Sequence, residues 1–266
     1  MNISDLTKKI SSFHTHTYLC NHAQGTVTDY YSVAVSEGCS ALGFSDHCPY
    51  PNDGVDTWPD IRMTPFQADK YVQDVRSIAQ KSSFPIYCGF ECEYDKRYKN
   101  WYKDLKDKYF LDYLVLGSHW VEIDGEFVYA PNINGIKNIH KYFDNFIEAI
   151  KTGLFNFVAH PDLIMADGRE WNKELKDCFS YLIDAAKDSN LPLEINGEGL
   201  FKPTVKCNKG FRYQYPVEEF WIMVKEKNAS VICNSDAHLP ENVLQNARLA
   251  RDFSRKIGLN PIENIF

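Results

Sequence analysis

Ile10-Ser11-Ser12-Phe13-His14-Thr15-His16 reads as a short strand that runs into two imidazoles. Side chains two apart on a strand leave on the same face, so both rings can reach one ion. Alone, the pair would be as well explained by chance at a surface. The rest of the chain repeats the arrangement. Ala41 to His47, Pro85 to Glu93, Tyr113 to His119, Phe155 to His160, Pro192 to Asn196 and Ser230 to His238 are further apolar runs with His, Asp or Glu at or near their ends.

Helical punctuation fills the intervals. Val27 to Glu37 follows Thr26 and stops at Gly38, and Thr64-Pro65 opens a stretch to Lys81 with a capping residue followed by proline at the first helical position. Ile136 to Lys151 carries Ile139, Phe143, Phe146, Ile147 and Ile150 at helical spacing. Asn100 to Lys108, Trp171 to Lys187, Pro216 to Lys227 and Pro240 to Lys256 are the remaining helical candidates. Strands that alternate with helices predict a parallel sheet, because parallel neighbours need long crossovers. Seven such units suit an α/β barrel better than an open sheet, and barrel chemistry gathers at the carboxyl ends of the strands, where the polar residues fall. Pro49 to Met63 and Gly197 to Tyr215 read as long loops over that end.

At 266 residues one domain spanning 1–266 is expected. The 44% hydrophobic and 24% charged composition is that of a soluble globular chain. There is no apolar run of the roughly 20 residues a bilayer requires, and Met1-Asn2-Ile3-Ser4-Asp5 lacks a secretory leader's basic and apolar regions, so the expected place is the cytoplasm. A net charge of -7 argues against a nucleic-acid surface. The eight cysteines form no C-x-x-C pair, which suggests neither a zinc knuckle nor a disulfide scaffold.

Seven of the eight histidines, all but His140, sit at or just after a strand end: His14, His16, His22, His47, His119, His160 and His238. Asp46, Glu91, Glu93, Glu194 and Asp236 share those ends. Each has an ordinary structural reading: Ser45-Asp46-His47 as a helix cap, His160-Pro161-Asp162 as a loop start, His119 as a core histidine. Their joint occurrence does not. Imidazoles and carboxylates without thiolates suit Zn, Mn or Fe, and so many ligands imply several ions, since one tetrahedral centre uses about four.

The series His14-x-His16, His22, Asp46-His47, Glu91, His119, His160 and Asp236-x-His238 resembles the polymerase and histidinol phosphatase (PHP) family, and the words Gly89-Phe90-Glu91, Gly117-Ser118-His119 and Asn234-Ser235-Asp236-Ala237-His238 resemble its histidinol-phosphatase branch. The resemblance implies a distorted TIM-like (β/α)7 barrel with three divalent metal ions. Carried over by position, it implies one ion on His14, His16, Glu91 and Asp236, a second on Glu91, His119 and His160, and a third on His22, His47 and His238. Asp46 would orient an imidazole.

Clustered divalent ions offset a phosphate's charge and acidify water. The expected reaction is therefore in-line attack of hydroxide generated at the ions on a small phosphate monoester, with Glu91 at the centre. Asp236, His238 and His47 are the candidates for protonating the departing alcohol. L-Histidinol phosphate is the leading substrate; another small phosphate ester or diester is the alternative, and a non-catalytic or nuclease-type module comes after it. The branch's expected arginines are here Met165 or Ala166 and Phe201. Lys202, Arg169 and Arg212 are the candidates to grip phosphate in their place, and Glu198 adds negative charge that would favour a cationic group such as an amine. The oligomeric state is not legible.

Overall fold

The computed structural model describes residues 10–55 and 58–266; residues 1–9, on which the reading of Met1 to Asp5 falls, and 56–57, within the expected Pro49 to Met63 loop, lie outside the described residues. In chain order the elements are β1 (Ile10–Ser12), α1 (Val27–Ser36), β2 (Cys39–Phe44), α2 (Pro65–Ala79), β3 (Ile86–Cys92), α3 (Lys99–Tyr109), β4 (Tyr113–Leu116), β5 (Trp120–Ile123), β6 (Glu126–Tyr129), α4 (Ile136–Lys151), β7 (Phe157–Val158), α5 (Lys173–Asp188), β8 (Leu193–Asn196), α6 (Gly197–Phe201), β9 (Val205–Cys207), β10 (Gly210–Arg212), α7 (Glu218–Glu226), β11 (Val231–Asn234) and α8 (Asn242–Ile257). All seven expected strands form, as one parallel sheet in the order β1-β2-β3-β4-β7-β8-β11.

Closure, which the sequence left open, happens beyond the named strands. Thr15 bridges Ala237 in parallel register. Asp236 N donates to His14 O at 2.9 Å and His16 N to Ala237 O at 3.1 Å. The first and last strands therefore join through the two segments that carry the His-x-His and Asp-x-His pairs, and the sheet becomes a seven-stranded barrel.

Inside it, Phe13, Tyr113, Val115, Phe157, Ala159 and Ile232 form one apolar layer drawn from several strands, with Tyr87 packed on it. Strand β3 shows the alternation: Tyr87, Gly89 and Glu91 share a face by their spacing, changing from aromatic to carboxylate toward the carboxyl end. A side chain at Gly89 would meet the Tyr113 carbonyl, so glycine lets β4 approach. Phe266 stacks on Tyr87 at 4.1 Å.

Helices cover the outside. Thr26 and Asp29 make a capping box at α1, as do Thr64 and Gln67 at α2. On α4, Ile139, Phe143, Phe146 and Ile150 are buried as their spacing predicts, while Ile147 is half-buried. Helix α7 begins at Glu218 rather than Pro216: Val217 is the extended residue before it, and Val217 N donates to Asp162 Oδ2 at 2.6 Å.

Two stretches depart from expectation. Gly197 to Tyr215 is not an unstructured loop: it holds the short helix α6 and the hairpin β9–β10. A second hairpin, β5–β6, follows His119 and turns at Asp124-Gly125, both at positive φ (52° and 88°). Asp-Gly between two short apolar runs is a readable hairpin signal. Among the described residues no helix is long and apolar enough to cross a membrane.

Candidate metal centre

The strand ends bring His14, His16, His22, His47, Glu91, His119, His160, Asp236 and His238 together at one rim. Glu91 stands at the middle. Its Oε2 faces His14 Nε2 (3.4 Å), His16 Nε2 (3.4 Å) and His47 Nδ1 (3.1 Å), and its Oε1 faces His160 Nε2 (2.9 Å) and His119 Nε2 (3.7 Å). Asp236 Oδ1 adds contacts to His16 Nε2 at 3.1 Å and His14 Nε2 at 3.4 Å. Gly117 makes this crowding possible, since a Cβ there would collide with the Glu91 carboxylate.

The donor atoms fall into groups that can each hold an ion: His14, His16 and Asp236; Glu91, His119 and His160; His22, His47 and His238; and, overlapping them, His16, His47 and Glu91, and His16, Cys20 and His238. Several observations fit these groups to cations rather than to one another. His14 Nε2 meets His16 Nε2 at 3.1 Å, and His22 Nε2 meets His238 Nε2 at 3.0 Å. Glu91 Oε2 and Asp236 Oδ1 are buried, and among the described residues no hydrogen bond reaches either. Such buried acceptors are costly unless something positive satisfies them.

Outer partners fix the rings. His14 Nδ1 donates to Glu194 Oε1 at 2.9 Å, His119 Nδ1 to Glu93 Oε1 at 2.7 Å, His22 Nδ1 to the Cys20 carbonyl at 2.7 Å and His238 Nδ1 to the Asp236 carbonyl at 3.0 Å. Each bond leaves Nε2 to point inward, the usual way a protein sets the tautomer of a ligating histidine. Glu194 does most. Besides His14 it accepts from Asn234 Nδ2 (3.0 Å), Asn196 Nδ2 (2.8 Å) and His160 N (3.0 Å). Asp46 holds Thr17 N at 3.0 Å and lies 3.6 Å from His16 Nδ1. His160 and Asp236 both have positive φ, 29° and 52°. Non-glycine residues adopt such angles at some cost, and here backbone bonds from His160 N to Glu194 and from Asp236 N to His14 hold them.

Charge is distributed to match. Burial pushes His14 and His16 down, but neighbouring carboxylates, Asp236 foremost, raise both well above the ordinary histidine value. His119 is raised likewise by Glu93 and Glu91 against burial. Burial pushes Glu91 up, yet His119, His14 and His47 hold it well below the carboxylate range; His14 and His16 do the same for Asp236. Burial and the charge of His16 drop His47 well below normal and His238 to about 3.

The site opens into a cavity of about 400 Å³ whose other walls include Trp58, Ile61, Tyr129, Leu163, Tyr215, Glu198 and Lys202. Lys202 lines this cavity. Arg169 and Arg212 are not brought to the site. The Arg169 guanidinium donates to the carbonyls of Ile164, Pro131 and Ile133, and that of Arg212 to those of Tyr213, Gln214, Met165 and Arg169. Both brace loops; Arg169 spends Nε and Nη2, and Arg212 Nη1 and Nη2, on carbonyls, which leaves few donors for phosphate. His140 pairs with Glu174 on the exposed surface. Sequence reasoning missed the anchoring roles of Glu93 and Glu194, although both were visible as strand-end acids, and gave no place to Trp58, Tyr129 and Tyr215.

A protein-family model described as PHP domain matches residues 12–198. A probable histidinol-phosphatase of Deinococcus radiodurans is 25% identical over 240 residues, covering 86% of each chain. A probable histidinol-phosphatase of Schizosaccharomyces pombe is 25% identical over 280 residues, covering 94% of this chain and 88% of its own. Among solved structures, histidinol phosphate phosphatase from Lactococcus lactis, complexed with zinc, L-histidinol and phosphate, superposes with a TM-score of 0.73 at 17% identity, covering 96% of this chain and 95% of its own.

Proposed function

Because the chain belongs to the PHP domain family, we propose that it is a metal-dependent phosphoesterase that hydrolyses a small phosphate monoester, with L-histidinol phosphate the leading substrate. The observation that carries the reading is Glu91, one carboxylate whose two oxygens face separate groups of imidazoles at the floor of an open cavity. His14, His16, Glu91 and Asp236 would hold one divalent ion, Glu91, His119 and His160 a second, and His22, His47 and His238 a third. Bound there, such ions, Zn, Mn or Fe by their ligands, would offset the phosphate's charge and lower the pKa of water toward neutrality.

The chain's own groups supply the rest. Glu194, Glu93 and Asp46 keep the imidazoles aimed, and Lys202 offers a positive charge on the cavity wall. Asp236, His238 and His47, the candidates for returning a proton to the departing alcohol, all line the cavity. The names of the curated relatives support histidinol phosphate in particular. A second reading, another small phosphate ester or diester, is favoured by the engagement of Arg169 and Arg212 with backbone, which leaves Lys202 as the one lysine or arginine among the described cavity-lining residues.

The test is a phosphate-release panel of L-histidinol phosphate, simple monoesters and diesters, run on protein stripped by chelation and then reloaded with Zn, Mn or Fe. Release from a monoester that disappears on chelation and returns with metal is expected. Failure of every ester under every metal would end the phosphoesterase reading.

A further inference from the structure

Glu198 is a cavity-lining acid outside the ion groups described above. It sits on α6, which packs so closely on α8 that a Cβ on Gly197 would collide with the Asn246 carbonyl. Asn246, fully buried, donates from Nδ2 to Glu198 Oε2 at 2.9 Å. Among the described residues no hydrogen bond reaches Oε1. A carboxylate with one oxygen pinned by a buried amide and the other open to a cavity is a preorganised acceptor.

Its neighbour does not neutralise it. Lys202 lies one helical turn on, the spacing at which opposite charges usually pair. Yet Lys202 Nζ donates to Tyr215 Oη at 2.9 Å and lies 5.3 Å from the centre of that ring, and among the described residues no ion pair joins it to Glu198. The cavity wall thus presents one anion and one cation side by side, with Lys202 the one lysine or arginine among the described lining residues. A carboxylate here would repel a bare phosphate dianion. It is useful only if it meets a different, positive part of the same molecule.

We infer that the site selects phosphate monoesters that also carry an ammonium group, and that Glu198 is the residue that reads the ammonium while the ion-binding floor and Lys202 take the phosphate. This rests on the phosphoesterase reading and narrows its substrate class to amino-alcohol phosphates. Bisphosphates, which would bring a second anion to it, are disfavoured by the same carboxylate.

The metal-reloaded enzyme is assayed on L-histidinol phosphate and on its deamino counterpart, in which hydrogen replaces the ammonium group. Wild type should prefer the amine. Glu198→Gln should lower kcat/KM for the amine ester roughly tenfold to a hundredfold, the range for a lost hydrogen bond to a charged group, and lower that for the deamino ester by less than about threefold. Calorimetry adds a readout that needs no turnover: L-histidinol itself should bind wild type more tightly than its deamino analogue, and Glu198→Gln should erase the difference. Equal losses on both esters, or no wild-type preference for the amine, would overturn the proposal. The wild-type comparison holds even if the variant folds poorly. If no ester is hydrolysed, the phosphoesterase reading fails by itself, while the two alcohols still decide the role of Glu198.

Discussion

Two layers of one barrel make opposite uses of burial. In the lower layer Phe13, Tyr113, Val115, Phe157 and Ile232 interlock as an apolar core. Toward the carboxyl ends of the barrel strands, His14, Glu91, His160 and Asp236 are as deeply buried but polar, with carboxylate oxygens that no hydrogen bond among the described residues satisfies. The lower layer stabilises the fold by excluding water; the upper one stores unfavourable desolvation that bound cations would relieve. Glu91→Gln attacks the upper layer alone, and its effect should be the largest: a fall of at least about a thousandfold in phosphate release, equivalent to about 4 kcal/mol, with loss of bound metal measured by elemental analysis. Stability of the stripped protein should change little by comparison. Full metal content and full rate in this variant would break the distinction between the layers.

Ile232→Ala attacks the lower layer. Ile232 is 1% exposed within the apolar cluster, and truncating a buried isoleucine costs about 2–5 kcal/mol. Urea denaturation should register that loss, while the folded fraction keeps its metal stoichiometry. If metal binding fell in proportion to stability, the floor of the barrel and the ion site would be one cooperative unit rather than two layers with separate tasks.

The upper layer was the more legible in sequence, for a chemical reason. Few residue types ligate a divalent ion, so His14, His16, Glu91, Asp236 and His238 are exposed as candidates by type and by their two-residue spacing at strand ends. Apolar residues announce a core but not which layer of it: nothing in the chain assigned Phe13 to the barrel interior while its neighbour His14 faces Glu91 and Asp236. Closure through Thr15 and Ala237 was likewise hidden, since it depends on pairing between segments more than 200 residues apart. The arginines were harder still. Arg169 and Arg212 have the right charge in the right loops, and whether a guanidinium faces a cavity or a set of carbonyls is decided by loop conformation. Glu93 and Glu194 could be seen as acids at strand ends; that they orient His119 and His14 follows only from contacts across the barrel.

Two buried aspartates sharpen the comparison at its boundary. Asp236, among imidazoles, is held well below the carboxylate range despite burial. Asp162, two residues beyond His160, is pushed up by burial to about 7, even though its Oδ2 accepts from Val217 N. The Val217 N–H and the charge of Arg212 pull it down without offsetting its desolvation, so its environment is that of the fold rather than of the ion site. A carboxyl group whose folded pKa lies above its unfolded value binds a proton more tightly in the native state. Its contribution to stability is therefore complete below the unfolded value near 4 and is lost as pH rises through about 7. From pH 6 to pH 8 the loss should be on the order of 1 kcal/mol. Asp162→Asn keeps an oxygen for Val217 N and removes the titration, so the stripped variant should lose less stability than wild type over that interval in paired urea titrations. Identical pH slopes would mean that Asp162 does not change its protonation between pH 6 and pH 8, and that the two buried aspartates are held ionised alike.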